Sequence, residues 1–193
     1  IDLSSIAVKH GMSCCTGITP DATYVVGWYW EYDEANSYFA QQYGAVIPFC
    51  YDVLKDRVTV PVEGERIYNE NAATAIKAVA PDRTLLGYQQ SQGIHSIIWA
   101  DENTPYEYVH FEYSDEYEPL FSLGDTQNLL SQSGRYIYGK ATDFANGQAV
   151  LPAAYDRQTE QLYTFTGGSV SAMSDQGFAF INDTPYYLGT TSY

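Results

Sequence analysis

Two stretches of this sequence combine aromatic rings with carboxylates more densely than the rest of the chain. They are Trp28-Tyr-Trp-Glu-Tyr-Asp-Glu-Ala-Asn-Ser-Tyr-Phe39 and Phe111-Glu-Tyr-Ser-Asp-Glu-Tyr-Glu-Pro-Leu-Phe121. Aromatic rings stack on sugar faces and anchor peptide side chains, while carboxylates accept sugar hydroxyls, pair with basic peptide groups or hold Ca²⁺. We therefore expect binding here, and the candidate site residues are Trp28, Tyr29, Trp30, Tyr32, Asp33, Tyr38, Tyr113, Asp115, Glu116 and Tyr117.

Two other interpretations of these stretches stay open. Each could be a long hairpin whose rings pack on its own sheet while its acids keep it soluble. Each could equally form a protein–protein interface, where Tyr and Trp are enriched. The expected partners are therefore another protein chain or a glycan or peptide ligand. No cofactor is expected, although the carboxylates leave Ca²⁺ binding open.

The sequence lacks the familiar catalytic motifs. It has no GxSxG, no HExxH and no phosphate-cradling glycine loop, and His10, His95 and His110 share no ligand spacing. A glycosidase-type carboxylate pair is neither excluded nor located among the 24 Asp and Glu residues. We expect a binding module rather than an enzyme, with no catalytic residue and no metal site.

Charge narrows the class of partner. The 193-residue chain carries 9 Lys and Arg against 24 Asp and Glu, a net charge of −15. Nucleic-acid binding needs clustered Lys and Arg, and anionic membrane surfaces repel such a field, so both are disfavoured. No run of 18 apolar residues exists, so the sequence predicts no transmembrane segment.

Three cysteines cannot complete a disulfide framework. Cys14 and Cys15 are adjacent, and Cys50 lies in an apolar run. We expect three buried thiols, with a single disulfide as the alternative.

A fragment of about ten residues occurs three times: ITPDATYVVG (18–27), VAPDRTLLG (79–87) and LSQSGRYIYG (130–139). A second fragment follows the first and third copies, as IPFCYD (47–52) and LPAAYD (151–156). Each copy predicts strand, turn, strand, loop, strand, turn, strand, because turn residues separate runs of β-branched and aromatic residues. Antiparallel four-stranded units repeated every ~40–60 residues are typical of β-propeller blades.

These fragments resemble a known family. The pattern Ser/Thr-Pro-Asp-(Gly)-x-Tyr-Val/Ile-x-Gly, followed by Tyr/Trp-Asp and a polar turn, is similar to the TolB/WD40-like propeller repeat of exported bacterial lipoproteins. The resemblance covers residues 13–188, and Ala22 and Arg83 stand where the family has a turn glycine. It implies an extracytoplasmic protein, at the cell surface or in the periplasm, lipid-anchored through a segment absent from this chain. It also implies an accessory role in a nutrient-uptake complex.

We therefore predict an all-β chain of propeller-type blades, about three complete and one partial, with repeats near 13–62, 72–111, 126–166 and 169–190. The segment Leu3–Lys9 could supply the strand missing from the last blade, or the chain could be part of a longer propeller, which we favour. The function expected is a non-enzymatic binding or assembly module. The alternatives are a propeller glycoside hydrolase or peptidase domain, and a purely structural scaffold.

Overall fold

The computed structural model describes residues 13–31, 45–64, 73–90, 94–113, 119–122, 129–143 and 149–189. Within these residues the chain forms strands and no helix. All the strand pairs are antiparallel, and they make four separate sheets. The all-β, propeller-type fold predicted from the repeats is confirmed.

The sheets follow one another along the chain. The first sheet has the order β1-β2-β3-β4, and its strands are Ser13–Ile18, Tyr24–Glu31, Ala45–Asp52 and Arg57–Thr59. The second has the order β5-β6-β7-β8, and its strands are Ala73–Val79, Leu85–Gln90, Ile94–Trp99 and Glu107–Tyr108.

The third sheet has more strands than the four-stranded sheets that precede it. Its six strands are β9 His110–Tyr113, β10 Pro119–Ser122, β11 Leu129–Leu130, β12 Tyr136–Asp143, β13 Ala149–Asp156 and β14 Gln161–Thr164. Their order is β14-β13-β12-β10-β9, and β11 also pairs with β12. The fourth sheet has the order β15-β16-β17, and its strands are Val170–Met173, Phe178–Ile181 and Thr184–Tyr187.

The repeated fragments occupy equivalent places in the sheets. Tyr24, Leu85 and Tyr136 each begin the second strand of a unit, and each pairs with the last residue of the third strand. Those partners are Asp52, Trp99 and Asp156. The sequence similarity therefore reflects one sheet unit built repeatedly.

A turn with two shared features leads into the second strand of each unit, that is, into β2, β6, β12 and β16. The residue that closes it has a positive φ: 57° at Ala22, 69° at Arg83, 79° at Gly134 and 89° at Gly177. The amide of this residue donates to a carbonyl three residues earlier, at 2.8 Å, 2.9 Å, 2.9 Å and 3.1 Å in the same order. Glycine adopts this conformation without a steric penalty, so Ala22 and Arg83 carry strain that the other two turns avoid.

Neighbouring sheets bury apolar side chains between them. Tyr24, Val26 and Cys50 of the first sheet pack with Ile76 and Trp99 of the second. A second cluster joins the second and third sheets, and a third joins the third and fourth. Each interface thus has its own small core, which is the arrangement of a repeat protein whose units contact mainly their neighbours.

The repeated turns lie together at one end of the four sheets, which we call the turn end. The Thr16 hydroxyl donates to the Ile76 carbonyl at 2.8 Å, so β1 and β5 lie alongside each other. A Cβ at Gly134 would overlap the Cβ of Ala80, so the second and third turns touch. Asp175 accepts a hydrogen bond from the Ser131 hydroxyl at 2.6 Å, which joins the third and fourth turns. The opposite end, where β2 ends and β3 begins, is called the loop end.

The glycine that closes each repeated fragment makes room for a neighbouring strand. A Cβ on Gly27 would overlap the Cys14 carbonyl oxygen and lie 2.9 Å from the Phe49 ring. A Cβ on Gly87 would overlap the Ala75 carbonyl oxygen and lie 2.8 Å from the Trp99 ring. The glycines of the repeat are therefore required by packing.

Candidate functional site

Both aromatic, acidic stretches are attached to the molecule at the loop end. The first stretch leaves the first sheet where β2 ends at Glu31, and the chain returns where β3 begins at Ala45. The second lies in the β9–β10 hairpin, whose strand β10 pairs Phe121 with Asp143, the last residue of β12. Since β12 begins at the turn end, Asp143 lies at the loop end. The topology thus brings together two segments far apart in sequence.

The second stretch belongs to a different sheet from the one its sequence position suggests. It follows the last strand of the second unit and reads as an insertion there, but the hairpin extends the third sheet. Pro119 pairs with Tyr113 and Phe121 with Phe111 across the hairpin. The backbone here has the long-hairpin geometry that the sequence left open as an alternative.

The predicted site residues fall into three groups. Trp28 and Tyr29 are described in full, and the backbones of Trp30 and Tyr113 lie in β2 and β9. The other six, Tyr32, Asp33, Tyr38, Asp115, Glu116 and Tyr117, lie outside the described residues. Binding at these positions therefore stays a prediction.

Trp28 and Tyr29 lie on opposite faces of β2 because successive side chains alternate along a strand. Trp28 pairs with Pro48 and Cys14, is half-buried, and continues the row of Tyr24 and Val26. Tyr29 packs against the buried cluster of Val25, Phe49 and Tyr51 on the other face. Trp28 thus lies on the face of the first sheet that packs against the second sheet, while Tyr29 contributes to the core on the other face.

The buried carboxylates at the turn end have structural partners. Asp52 forms ion pairs with Lys55 at 3.3 Å and with Arg83 of the second sheet at 3.2 Å. The Arg83 guanidinium also lies 4.6 Å from the centre of the Tyr24 ring. Burial raises the pKa of Asp52, but the Lys55 hydrogen bonds and the two cations outweigh it and leave this pKa lowered. Arg83 therefore links two sheets.

The equivalent carboxylate of the third sheet is paired within its own unit. Arg135 donates to Asp156 through Nε at 3.1 Å and Nη2 at 2.6 Å, a bidentate geometry. This hydrogen bonding lowers the pKa of Asp156 against the opposing effect of burial. Both aspartates also accept hydrogen bonds from backbone amides of the turns that follow them, so we propose neither as a catalytic acid.

Three further titratable groups are buried: His95 in the second sheet, and Cys50 and Tyr24 at the interface of the first and second sheets. Burial lowers the pKa of His95, whose ring lies edge-on to Tyr108 with centroids 6.1 Å apart. Burial raises the pKa of the Cys50 thiol to about 12. Burial also raises the pKa of the Tyr24 phenol, with smaller contributions from Cys50 and Glu102. Among the described residues, no group of three His, Cys, Asp or Glu is arranged to hold a metal ion.

The expectation of three buried thiols is wrong for two of them. Cys50 is buried, but Cys14 and Cys15 are exposed, and all three are free. The reason is their place on β1, which is an edge strand of the first sheet among the strands that the structure describes. Their apolar character alone did not indicate that position.

The fourth sheet leaves one apolar face uncovered. Phe178, Phe180 and Tyr187 are 46%, 43% and 45% exposed, whereas Ala179 and Ile181 on the other face of β16 are buried. The rings of Phe178 and Tyr187 lie 4.8 Å apart on this outer face. A strand that is apolar on both faces is typical of one covered on both sides.

Sequence reasoning missed one polar feature, the cleft between the second and third sheets that Arg157 borders. The signal was present in the repeat. Val53 follows Asp52 in the first unit, and the equivalent position after Asp156 carries Arg157 instead. In a chain with so few cations, an arginine that departs from the repeat points to a local requirement for positive charge.

Comparison with solved structures supports the fold. The chain resembles TolB from Acinetobacter baumannii with 12% identity and a TM-score of 0.51, covering 91% of this chain and 41% of TolB. It resembles an oligogalacturonate lyase in complex with manganese with 14% identity and a TM-score of 0.54, covering 93% of this chain and 52% of the lyase. The chain therefore spans about half the length of the structures it matches. Identities this low show a propeller-like fold and nothing of function.

No protein-family model matches the sequence, and no curated protein matches it. Among the described residues, no helix has the length and apolar character needed to cross a membrane.

Proposed function

We propose that this chain is a non-enzymatic, extracytoplasmic binding or assembly module that contacts its ligand or partner at the loop end. The observation that carries the proposal is topological. The two aromatic, acidic segments, 28–39 and 111–121, are attached to different sheets but at the same end of the molecule. Such an arrangement allows one ligand to contact both segments.

Charge selects the chemistry of the ligand. With a net charge of −15, the protein repels polyanions and attracts cations over a range of about 8 Å at physiological ionic strength. A neutral glycan or a basic peptide suits rings and carboxylates presented together. The extracytoplasmic location and an accessory role in a nutrient-uptake complex rest on the TolB/WD40-like repeat pattern, as does a lipid anchor.

A purely structural scaffold is the second candidate, and the outer face of the fourth sheet favours it. Phe178, Phe180 and Tyr187 expose aromatic surface that another protein layer would cover. A scaffold of this kind would bind a partner chain through this face and would not need the loop end.

The two candidates predict opposite results for two variants. Trp28→Ala removes the half-buried ring that begins the first segment, and Phe180→Ser removes an exposed ring from the fourth sheet. Each variant would be checked for folding by circular dichroism. Binding of the labelled protein would be screened on arrays of neutral oligosaccharides and basic peptides, and each hit remeasured by calorimetry.

Under the proposal, Trp28→Ala combined with Trp30→Ala weakens binding by at least about tenfold, or about 1.4 kcal/mol, and Phe180→Ser has no effect. An array without a single saturable hit removes the proposal. So does a hit whose affinity depends on Phe180 and not on the tryptophans, which would favour the scaffold.

A further inference from the structure

A cleft of about 270 Å³ lies between the second and third sheets. It opens near the turn end, where residues 100–106 join β7 to β8 and where β13 ends at Asp156. Small-ligand pockets run from roughly 300 Å³ upwards. The cleft therefore suits a ligand the size of one amino-acid residue or one monosaccharide. It lies at the turn end, whereas the proposed recognition segments lie at the loop end.

The lining of the cleft is divided between apolar and polar groups. Ile98, Val109 and Ile137 supply an apolar floor, and Ile137 is fully buried in the cluster that joins the two sheets. Arg157 and Glu107 supply charge at its border. An apolar floor with a few placed polar groups is the usual composition of a site that binds a small molecule.

Arg157 is held in place by the main chain. Its Nη1 donates to the carbonyl oxygen of Gly134 at 2.7 Å. A guanidinium has five N–H donors, so this bond leaves others for a ligand. The bond also fixes the group in position at the wall of the cleft, which reduces the entropy lost when a ligand binds.

The guanidinium of Arg157 is not neutralised by an ion pair within the described part of the chain. The chain has 9 Lys and Arg in all. Of these, Lys55, Arg83 and Arg135 are engaged in ion pairs with Asp52 or Asp156. Arg157 donates to a neutral carbonyl instead, so its charge has no carboxylate partner among the described residues.

One tyrosine, Tyr155, adds a rigid ring to the wall of the cleft. The ring of Tyr108 lies on the other face of the second sheet, where it packs edge-on to Tyr106 in the cluster shared with the first sheet. Tyr155 is half-buried on β13, and burial raises its pKa, so the phenol stays neutral. The Tyr155 ring offers a flat apolar surface that carries no charge of its own.

From this geometry we propose that the cleft binds a small carboxylate ligand with an apolar body, whose carboxylate pairs with the Arg157 guanidinium. A planar guanidinium matches a carboxylate through two parallel N–H···O bonds. The apolar body lies over Ile98, Val109 and Ile137 and beside the Tyr155 ring. This site is independent of the function proposed for the loop end.

The test uses N-acetyl-L-leucine and its neutral counterpart N-acetyl-L-leucinamide, which differ only in the carboxylate. Both are titrated into the isotopically labelled full chain, and methyl signals are followed by NMR. We expect the acid to shift the methyl signals of Ile98, Val109 and Ile137 saturably, and the amide to shift them at least tenfold more weakly. A probe of this size is expected to bind with a Kd in the millimolar range, about 1 mM.

Three variants separate the role of the two parallel N–H donors of Arg157 from the role of its positive charge. Arg157→Leu should weaken the affinity for the acid by about tenfold or more. Arg157→Lys keeps the charge but not the pair of parallel donors, so its affinity should lie between those of Arg157→Leu and the native chain. Arg57→Leu is the matched control, because Arg57 is an exposed cation on β4 of the first sheet. It should bind the acid as the native chain does.

Three results would overturn the inference. The first is the absence of saturable methyl shifts up to about 20 mM of the acid, a concentration that would detect any Kd near the expected range. The second is equal affinity for the acid and the amide. The third is an affinity for the acid that is unchanged in Arg157→Lys. The comparison of acid with amide needs no variant, so it decides the matter even if Arg157→Leu fails to fold. Failure of binding at Trp28 would leave these results unaffected.

Discussion

Replacing Gly87 by alanine is expected to destabilise the fold through a single added methyl group. The added Cβ would overlap the carbonyl oxygen of Ala75 on β5 and lie 2.8 Å from the Trp99 ring. Trp99 is fully buried and donates through Nε1 to the Val62 carbonyl at 2.9 Å, so the ring cannot move away freely. The strand β5 must therefore shift, and with it the packing between the first two sheets.

The magnitude follows from the cost of overpacking a core. An extra methyl in a close-packed interior costs about 1–3 kcal/mol, and the reduced entropy of the unfolded alanine chain returns roughly 0.5–1 kcal/mol. We expect a net loss of about 1–2 kcal/mol. For a chain of this size this corresponds to a fall in Tm of about 2–8 °C. Urea and thermal unfolding followed by circular dichroism would measure both.

Gly167 provides the control for the general effect of replacing glycine. Its φ is 76° and a Cβ there would have nothing within 4 Å, so Gly167→Ala tests backbone strain without overlap. Gly27→Ala should behave like Gly87→Ala, because Gly27 faces the Cys14 carbonyl and the Phe49 ring in the equivalent place. Native-like stability of both Gly27→Ala and Gly87→Ala would refute the packing derived for the repeat.

Three further predictions concern single positions. Ala22→Gly should raise the free energy of unfolding by about 0.5–1 kcal/mol in urea titrations, because Ala22 has a φ of 57°. Asp156→Asn should cost about 3 kcal/mol at neutral pH by breaking the buried pair with Arg135. Because the folded pKa of Asp156 is lowered from 3.8, this stabilisation is present above that value and is lost as pH falls through the folded pKa. The difference from the native chain, measured by urea unfolding, should therefore shrink below about pH 4. A thiol reagent such as DTNB should label the exposed pair Cys14–Cys15 in the folded protein and Cys50 only after unfolding.

The sequence allowed the repeated unit to be predicted with accuracy. Tyr24, Leu85 and Tyr136 occupy equivalent positions in their sheets, as the aligned fragments predict. The turns were predictable too, because Pro, Asp and Gly act on backbone geometry within four residues. The segment Ala73–Val79 forms β5, as the repeat predicts.

Features that depend on neighbouring sheets were not predictable. The β9–β10 hairpin reads as part of the second unit but pairs with β12 of the third, since local sequence does not say which free edge a hairpin joins. Arg83 reads as a residue replacing a turn glycine, and only the packing of two sheets shows its ion pair with Asp52. The exposure of Cys14 depends in the same way on the edge position of β1.

The candidate site was predictable in composition and not in geometry. The stretch that begins at Trp28 is recognisable because it interrupts the repeat, and topology then places it at the same end as the second stretch. Arg157 was visible only as a departure from the first unit.

The central claim is that one sheet unit is repeated along the chain, with the second and third strands of each unit paired in the same way. The most direct measurement is the set of cross-strand nuclear Overhauser effects between the second and third strands of each unit. The account predicts contacts at four equivalent pairs: Tyr24 with Asp52, Leu85 with Trp99, Tyr136 with Asp156, and Phe178 with Tyr187. Contacts at non-equivalent positions in any two of the units would contradict it.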